Sequence, residues 1–361
     1  MNMIPVTKPY VPSRKIFDQY VDKIFDTRLF SNNGPLVSEL TQKLEKYLGV
    51  ENLLLVNNGT LALEVALQAL GLGNGDEAIT SPFTYVATSS AIKRMGVEPI
   101  YSDIDKDDWC LNPDTLSSQF SKRTKAIVPV HVFGNVCDVD GLEQLAQDRN
   151  VKLLFDASHC FFTKYNGTSV LNYGDASTLS FHATKLFHTG EGGAIVFKQR
   201  KHYEIAQQII EFGYDQSREI SVVGTNAKMS ELNAALGLSI LNEFDQLFSC
   251  RKSIWVNYQD NLKDSFKTQK LRDGLTYNYA YFPVLFQNQN KLLKCMEELN
   301  KNNIFSRRYF YPSLTDVDLF SQSNGLSTST DISRRILCLP IYHGLEISDQ
   351  NKIIEIINRV A

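Results

Sequence analysis

NLLLVNNGTLALEVALQAL, residues 52–70, decides the fold because it contains a strand, a turn and a helix in direct succession. Residues 52–56 are almost all apolar, which is typical of a strand buried on both faces. An Asn-Asn-Gly turn signal follows at 57–59, and apolar residues then recur at helical spacing up to Gly71. A strand that leads directly into a helix is the repeating unit of a helix-covered parallel sheet.

The same alternation continues on both sides of this unit, over about residues 36–240. An amphipathic helix precedes the first strand and stops at Gly49, and further helices are predicted near 84–95 and 138–149. The alternation predicts an α/β fold with a largely parallel sheet, in which ligands bind beyond the carboxyl ends of the strands. The remaining predicted strands are 77–81, 98–105, 126–132 and 151–157, with a hairpin-like pair at 177–181 and 192–197.

The pattern changes after about residue 240, and we predict a second domain there. A long helix is followed by the strand-like stretch 277–286, a helix at 291–302 and a closing helix near 347–360. The predicted division is therefore a large domain with an N-terminal arm, residues 1–240, and a smaller α+β domain, residues 241–361.

The composition excludes several classes of partner. The 361 residues are 43% hydrophobic and 21% charged, with a formal net charge of -3 and no basic run. Nucleic acids and anionic membranes favour a concentrated positive surface, so neither is an expected partner. No apolar stretch reaches 18 residues and the first residues contain no signal-peptide core, which predicts a cytoplasmic protein. The six cysteines are scattered without a C-x-x-C pair, so we expect reduced thiols and no metal site.

Two polar groups follow predicted strands. Gly59 and Thr60 open the first helix, where a tight turn and free amides suit a phosphate; a plain turn with an N-cap is an equally good interpretation. Asp156 ends the run LLFD, where a carboxylate is costly to bury unless it meets a cation such as a protonated pyridine nitrogen. An ordinary turn-capping carboxylate is the alternative for Asp156. His159, three residues on, could donate to a ring oxygen or serve a structural role.

A lysine and an aromatic residue complete the set. Lys185 lies in a polar, glycine-bearing loop just after a buried strand, and a partly buried lysine with a depressed pKa can form a Schiff base. Tyr85 follows another strand and could stack on a planar ring, although an aromatic core position is the commoner case. Together these positions supply a phosphate cradle, a ring stack, an acid for the ring nitrogen and an amine.

With these residues in view, the chain resembles the DegT/DnrJ/EryC1/StrS family of sugar aminotransferases that depend on pyridoxal phosphate (PLP). The resemblance runs from NNGP (32–35) to LCLPIYHGL (337–345). Its most specific stretches are DASHCFFTKYNG (156–167), SFHATKLFHTGEGG (180–193) and GTNAKMSELNAALG (224–237). It implies fold type I, which is aspartate aminotransferase-like, with a mostly parallel seven-stranded sheet, a small C-terminal domain and a homodimer with shared active sites.

The resemblance also implies roles for individual residues. Lys185 would bind PLP covalently, Asp156 would pair with its pyridine nitrogen, and His159 would contact its 3-oxygen. Tyr85 would stack on the ring, while the phosphate would be held by Gly59, Thr60 and Ser180 and, from the neighbouring subunit, by Asn226. Lys228 stands where the family commonly has Arg, so a bidentate contact cannot be assumed there.

The implied reaction is transfer of an amino group from an amino acid, with L-glutamate expected, to a nucleotide-linked keto sugar. The subgroup resemblance indicates C4 of dTDP-4-keto-6-deoxy-D-glucose, in the synthesis of a surface polysaccharide such as O-antigen, with C3 amination as the near alternative. Asn33 and Tyr309 are tentative substrate contacts. Lysine at 185, where the family's dehydratases have histidine, favours transamination.

Two other classes remain as alternatives: a non-catalytic PLP-binding regulator and a nucleotide-binding protein without PLP. The intact Lys185 and Asp156 count against the first. The second lacks both glycine-rich nucleotide motifs.

Overall fold

A computed structural model describes residues 3–263, 266–322 and 326–360. The described helices are α1 Arg14–Thr27, α2 Pro35–Leu48, α3 Gly59–Ala69, α4 Val86–Arg94, α5 Val139–Arg149, α6 Arg200–Ile210, α7 Glu231–Leu241, α8 Phe244–Asn261, α9 Gln289–Lys301, α10 Ser327–Arg335 and α11 Ile347–Val360. The described strands are β1 Leu53–Val56, β2 Glu77–Thr80, β3 Glu98–Tyr101, β4 Thr124–Val128, β5 Lys152–Asp156, β6 Lys164–Tyr165, β7 Thr168–Ser169, β8 Ala176–Ser180, β9 Gly193–Phe197, β10 Lys267–Thr268, β11 Leu275–Thr276, β12 Pro283–Leu285 and β13 Ile336–Cys338.

The central sheet has seven strands in the order β1-β9-β8-β5-β4-β2-β3. Every neighbouring pair is parallel except the two pairs that involve β9, which runs antiparallel to β1 and β8. The predicted fold class, α/β with a mostly parallel seven-stranded sheet, is therefore confirmed. The hairpin-like pair predicted from the sequence is the antiparallel pair β8 and β9.

Both faces of this sheet are buried, which explains the continuous apolar strands. In β1, Leu53 and Leu55 belong to the core on the face covered by α2, while Leu54 and Val56 belong to the core on the opposite face, which α3 and α6 cover. Successive side chains of a strand point to opposite faces, so a strand covered on both sides needs apolar residues at every position.

A second, three-stranded sheet, β10-β12-β13, packs with α8, α9 and α11 around a core of its own. Helix α8 contributes to two cores, with Phe244 and Leu247 in the large one and Ile254 and Tyr258 in the small one. The division into domains at residue 240 stays a prediction.

The prediction of one strand over 277–286 is wrong for its first six residues, because only Pro283–Leu285 pairs in the sheet. Asn278 is fully buried, and its side-chain amide donates to the backbone oxygens of His159 and Phe161. Tyr279 has a φ of 56°, which a strand does not accommodate. This segment therefore supports the loop after β5 instead of extending the sheet.

The strand predicted at 98–105 also ends early, at Tyr101. The carboxylate of Asp103 turns aside to accept hydrogen bonds from the amides of Thr328 and Ser329 in the first turn of α10, at 2.9 and 2.8 Å. Within the described ranges, no helix has both the length and the apolar character needed to cross a bilayer.

Candidate active site

A cavity of about 230 Å³ opens at the carboxyl ends of β1, β5 and β8. A larger groove of about 540 Å³ lies near the amino end of β1, between α2 and β9, and contains none of the predicted site residues. The smaller cavity is lined by eight of the ten predicted residues: Gly59, Thr60, Tyr85, Asp156, His159, Ser180, Lys185 and Tyr309.

The turn after β1 is both an N-cap and an open amide site. Asn58 caps α3 by accepting a hydrogen bond from the amide of Leu61 at 2.9 Å. The next two amides, of Gly59 and Thr60, have no acceptor within the helix because they belong to its first turn. The turn is therefore an N-cap, as one interpretation of the sequence predicted, and it is also compatible with the other interpretation, a phosphate site. The free amides and the positive end of the helix dipole favour an anion such as phosphate.

Glycine is required at two positions here because backbones approach closely. A Cβ on Gly59 would lie 2.9 Å from the Cβ of Ser180, the last residue of β8. A Cβ on Gly193, the first residue of β9, would lie 2.7 Å from the carbonyl carbon of Asn58. These contacts place the start of α3 directly beside the end of β8, so that both line one cavity.

Asp156 is buried at the end of β5, with 5% of its surface exposed. Its Oδ2 accepts a hydrogen bond from the hydroxyl of Thr88 at 2.7 Å, and its Oδ1 accepts one from the amide of Ser158 at 3.1 Å. No lysine or arginine among the described residues forms an ion pair with it. The carboxylate is thus oriented by the protein and keeps accepting capacity for a cation in the cavity.

His159 is held as a hydrogen-bond donor toward the cavity. Its Nδ1 accepts a hydrogen bond from the backbone amide of Phe133 at 3.1 Å, so the neutral ring carries its proton on Nε2. Burial, reinforced by the positive charge of Lys185, holds the pKa of His159 well below its usual value of 6.5. The backbone of Phe133 is left-handed, with a φ of 57°, and the hydroxyl of Tyr277 donates to its carbonyl at 2.8 Å.

Lys185 lies in a loop that is anchored below the cavity by aromatic packing. Phe187 is fully buried and contacts Phe161 and Phe181, with ring centres 4.4 and 5.0 Å apart. Burial lowers the pKa of Lys185 from 10.5 to about 8; Asp156 opposes this shift and Arg307 adds to it. A lysine with this pKa is partly neutral near physiological pH, as a nucleophilic amine requires.

Tyr85 lies at the rim, immediately before α4, and 58% of its surface is exposed. Tyr85 is therefore not a core residue, and its ring is available to a planar ligand. Sequence reasoning missed Thr88, Tyr281 and Arg307, of which the last two line the cavity. Arg307 belongs to the aromatic-rich stretch SRRYFYP (306–312), and its guanidinium lies 4.9 Å from the ring centre of Tyr309.

Asn33 and Asn226 do not line this cavity. The side-chain amide of Asn33 donates to Glu211 at 2.5 Å, and the backbone of Asn226 pairs with that of Glu211. Glu231 holds the NNGP loop nearby, because its buried carboxylate accepts hydrogen bonds from the first amides of α2. The two asparagines therefore lie together on a separate surface, and the expected reach of Asn226 into a neighbouring subunit stays a prediction.

The cavity fits PLP in the chemistry of its walls. The partly neutral lysine matches the cofactor's aldehyde, and the buried carboxylate matches its ring nitrogen. The histidine donor matches the ring oxygen, and the aromatic residue at the rim matches the flat ring. The helix N-terminus matches the phosphate. The fold and this site define the class of α/β enzymes that carry PLP on a lysine.

Comparisons with known proteins agree. Residues 13–358 match the model of the DegT/DnrJ/EryC1/StrS aminotransferase family, and the chain belongs to that family. It is 37% identical over 349 residues to dTDP-4-amino-4,6-dideoxy-D-glucose transaminase of Shigella dysenteriae, covering 93% of each chain. The Escherichia coli transaminase with the same name is 34% identical over 352 residues, covering 95% of this chain and 94% of the relative.

Among solved structures, DesI, crystallised in the presence of its TDP-sugar product, superposes with a TM-score of 0.94 at 28% identity. The match covers 99% of this chain and 93% of DesI. The protein is therefore a PLP-dependent aminotransferase, as the resemblance implied, and the alternative of a nucleotide-binding protein without PLP is excluded.

Lys185 is the residue predicted to bind the cofactor covalently, and its pKa then predicts how attachment depends on pH. Attachment requires the neutral amine, because a protonated amine has no lone pair for the cofactor's carbonyl carbon. With a pKa of about 8, the attachment rate to apoenzyme should rise as the pH increases through this value and then level off. Stopped-flow absorbance measures that rate. A rate that climbs steadily to pH 10.5, the usual pKa of lysine, contradicts the assignment.

Proposed function

We propose that the enzyme transfers an amino group from L-glutamate to C4 of dTDP-4-keto-6-deoxy-D-glucose. The single observation that supports the chemistry most strongly is that Lys185 and Asp156 line one cavity at the end of the parallel strands. The substrate assignment is supported by two relatives named as dTDP-4-amino-4,6-dideoxy-D-glucose transaminases, each covered over more than nine tenths of its length.

The cofactor's phosphate, in this proposal, lies at the start of α3. The amides of Gly59 and Thr60 and the hydroxyl of Ser180 would bind it, and the partner subunit's Asn226 would add a contact. Asp156 would pair with the protonated ring nitrogen, and the Nε2–H of His159 would donate a hydrogen bond to the 3-oxygen. Tyr85 covers one face of the ring.

Lys185 moves the proton in both halves of the reaction. Bound PLP supplies an electron sink that stabilises negative charge on the carbon next to the transferred nitrogen. With PLP bound, the unattached Nζ of Lys185 would take the proton from that carbon as a base and return it as an acid. A pKa of about 8 suits a general base that must also act as an acid near neutral pH.

The open side of the cavity is proposed to receive the substrates. Tyr309 and Arg307 line it and offer a hydroxyl and a cation, which suit the carboxylates of the donor and the hydroxyl and phosphate groups of the nucleotide sugar. Donor and acceptor use the same site in turn, so we expect ping-pong kinetics. Asn33 lies outside the cavity of its own chain, so its expected contact with the substrate stays a prediction.

We further propose a homodimer, supported by an exposed apolar patch. The patch comprises residues from the end of α1, from the loop after α6 and from the start of α7: Phe25, Leu29, Phe30, Phe212, Ile220, Val223 and Leu232, between 47 and 83% exposed. Soluble monomers rarely expose so many large apolar groups in adjoining segments. Asn226 lies on the segment that follows Val223, which brings the patch and the expected shared contact together.

The cellular setting is also a proposal. The six cysteines are free, five of them buried, which suits a reducing compartment such as the cytoplasm. A surface polysaccharide such as O-antigen is the expected destination of the amino sugar.

The product identifies the reaction. With L-glutamate and dTDP-4-keto-6-deoxy-D-glucose, the enzyme should form the 4-amino sugar nucleotide and oxoglutarate, and NMR of the product locates the nitrogen. Lys185→Ala should lower turnover by at least about 100-fold because the proton carrier is lost. A 3-amino product from a 3-keto substrate, with the 4-keto sugar unused, would overturn the substrate assignment. PLP binding without any glutamate half-reaction would instead indicate the regulator.

The apolar patch predicts the oligomeric state. Light scattering should give twice the 40.9 kDa mass of one chain at micromolar concentration. Ile220→Glu, which puts a charge in the patch, should favour monomers, whereas Leu319→Glu, equally exposed but outside the patch, should leave the dimer intact. A fully active wild-type monomer contradicts this proposal.

A further inference from the structure

The carboxylate of Asp156 is held by a chain of two buried hydroxyl groups. The Oδ2 of Asp156 lies 2.7 Å from the hydroxyl of Thr88, which lies 2.9 Å from the hydroxyl of Thr84. Thr88 is completely buried and Thr84 is 3% exposed, so bulk water does not compete for these bonds. Thr84 and Asp156 both line the cavity, and the buried hydroxyl of Thr88 connects them.

The direction of the hydrogen bonds in this chain follows from chemistry. An ionised carboxylate only accepts hydrogen bonds, so the hydroxyl of Thr88 must donate its single proton to Asp156. The oxygen of Thr88 therefore accepts a hydrogen bond from the hydroxyl of Thr84. Each group has one defined role, which fixes the rotation of the carboxylate and directs its remaining lone pairs toward the cavity.

The same helix carries the rim aromatic. Tyr85 is the N-cap residue of α4, with an extended backbone, and Thr88 lies three residues later in the first turn. Tyr85 is exposed at the rim, whereas Thr88 is completely buried. The start of α4 therefore carries both the residue proposed to cover the ring and the residue that binds Asp156.

We propose that Thr88 is a positioning residue for PLP, acting through Asp156 on the pyridine nitrogen. This inference rests on the proposed roles of Asp156 and Lys185. Without the hydroxyl, one oxygen of a buried carboxylate loses its donor and the carboxylate can rotate. The hydrogen bond between Asp156 and the protonated ring nitrogen then weakens. This lowers the affinity for PLP and reduces the positive charge on the ring.

Three variants separate positioning from general stability. Thr88→Val removes the hydroxyl at nearly constant volume, and Thr88→Ser restores it. Thr80→Val is the matched control, because Thr80 is also completely buried and also donates at 2.7 Å, but to the backbone oxygen of Val128. Titration of each apoenzyme with PLP, followed by visible absorbance, gives its affinity for the cofactor. The melting temperature of each variant is also recorded. The visible band of the PLP-loaded enzyme is then measured against pH to give its midpoint.

Thr88→Val should bind PLP about 10- to 100-fold more weakly, the loss expected for a hydrogen bond to a charged group. The pH midpoint of its visible band should rise, because less positive charge on the ring repels the proton at the lysine linkage less strongly. Thr88→Ser should recover most of the affinity. Thr80→Val should melt at a lower temperature while keeping the wild-type affinity and midpoint.

An unchanged affinity and midpoint in Thr88→Val overturn this inference alone, and so does an equal loss of affinity in Thr80→Val. If the wild-type protein itself fails to bind PLP at Lys185, the proposed function fails first and takes this inference with it.

Discussion

A buried carboxylate that forms no ion pair with a described lysine or arginine is the feature on which the rest of the site depends. Asp156 is held by the hydroxyl of Thr88 and the amide of Ser158, and none of the described lysine or arginine residues forms an ion pair with it. Burying such a charge is costly unless hydrogen bonds and a cation compensate. In the proposed arrangement the protonated ring of PLP is that cation. Pairing with the ring offsets the cost of burying Asp156 and so favours PLP binding. It also keeps the ring protonated, and a protonated ring withdraws electrons.

Most of the large sheet could be predicted from the sequence because buried parallel strands leave a clear apolar signal. The strands at 52–56, 77–81 and 151–157 lie within a residue or two of their observed ends, as does the hairpin-like pair. The failures occurred where tertiary contacts override pattern. Residues 277–282 look like a strand, yet Asn278 gives its amide to the loop after β5 and Tyr279 turns left-handed. No local pattern encodes such distant partners.

The site could be predicted where a residue stands at a strand end, as Asp156 and Ser180 do, or in the loop just after a strand, as Lys185 does. The residues that orient them could not be predicted, because their partners are distant in sequence: Thr88 and Asp156 are 68 positions apart, and Phe133 and His159 are 26 apart. Arg307 enters the cavity from beyond the large sheet, and only its place in an aromatic-rich stretch hinted at a role. The tautomer of His159 likewise depends on a backbone amide that the sequence does not reveal.

The central claim is that one amine, on Lys185, carries the cofactor. Borohydride reduction of the PLP-loaded protein, followed by digestion and mass spectrometry of the peptides, tests this most directly. The account predicts a single reduced cofactor adduct on the peptide that contains Lys185, and loss of that adduct when L-glutamate is added before the borohydride. An adduct on another lysine, or none on a protein that binds PLP, contradicts the account.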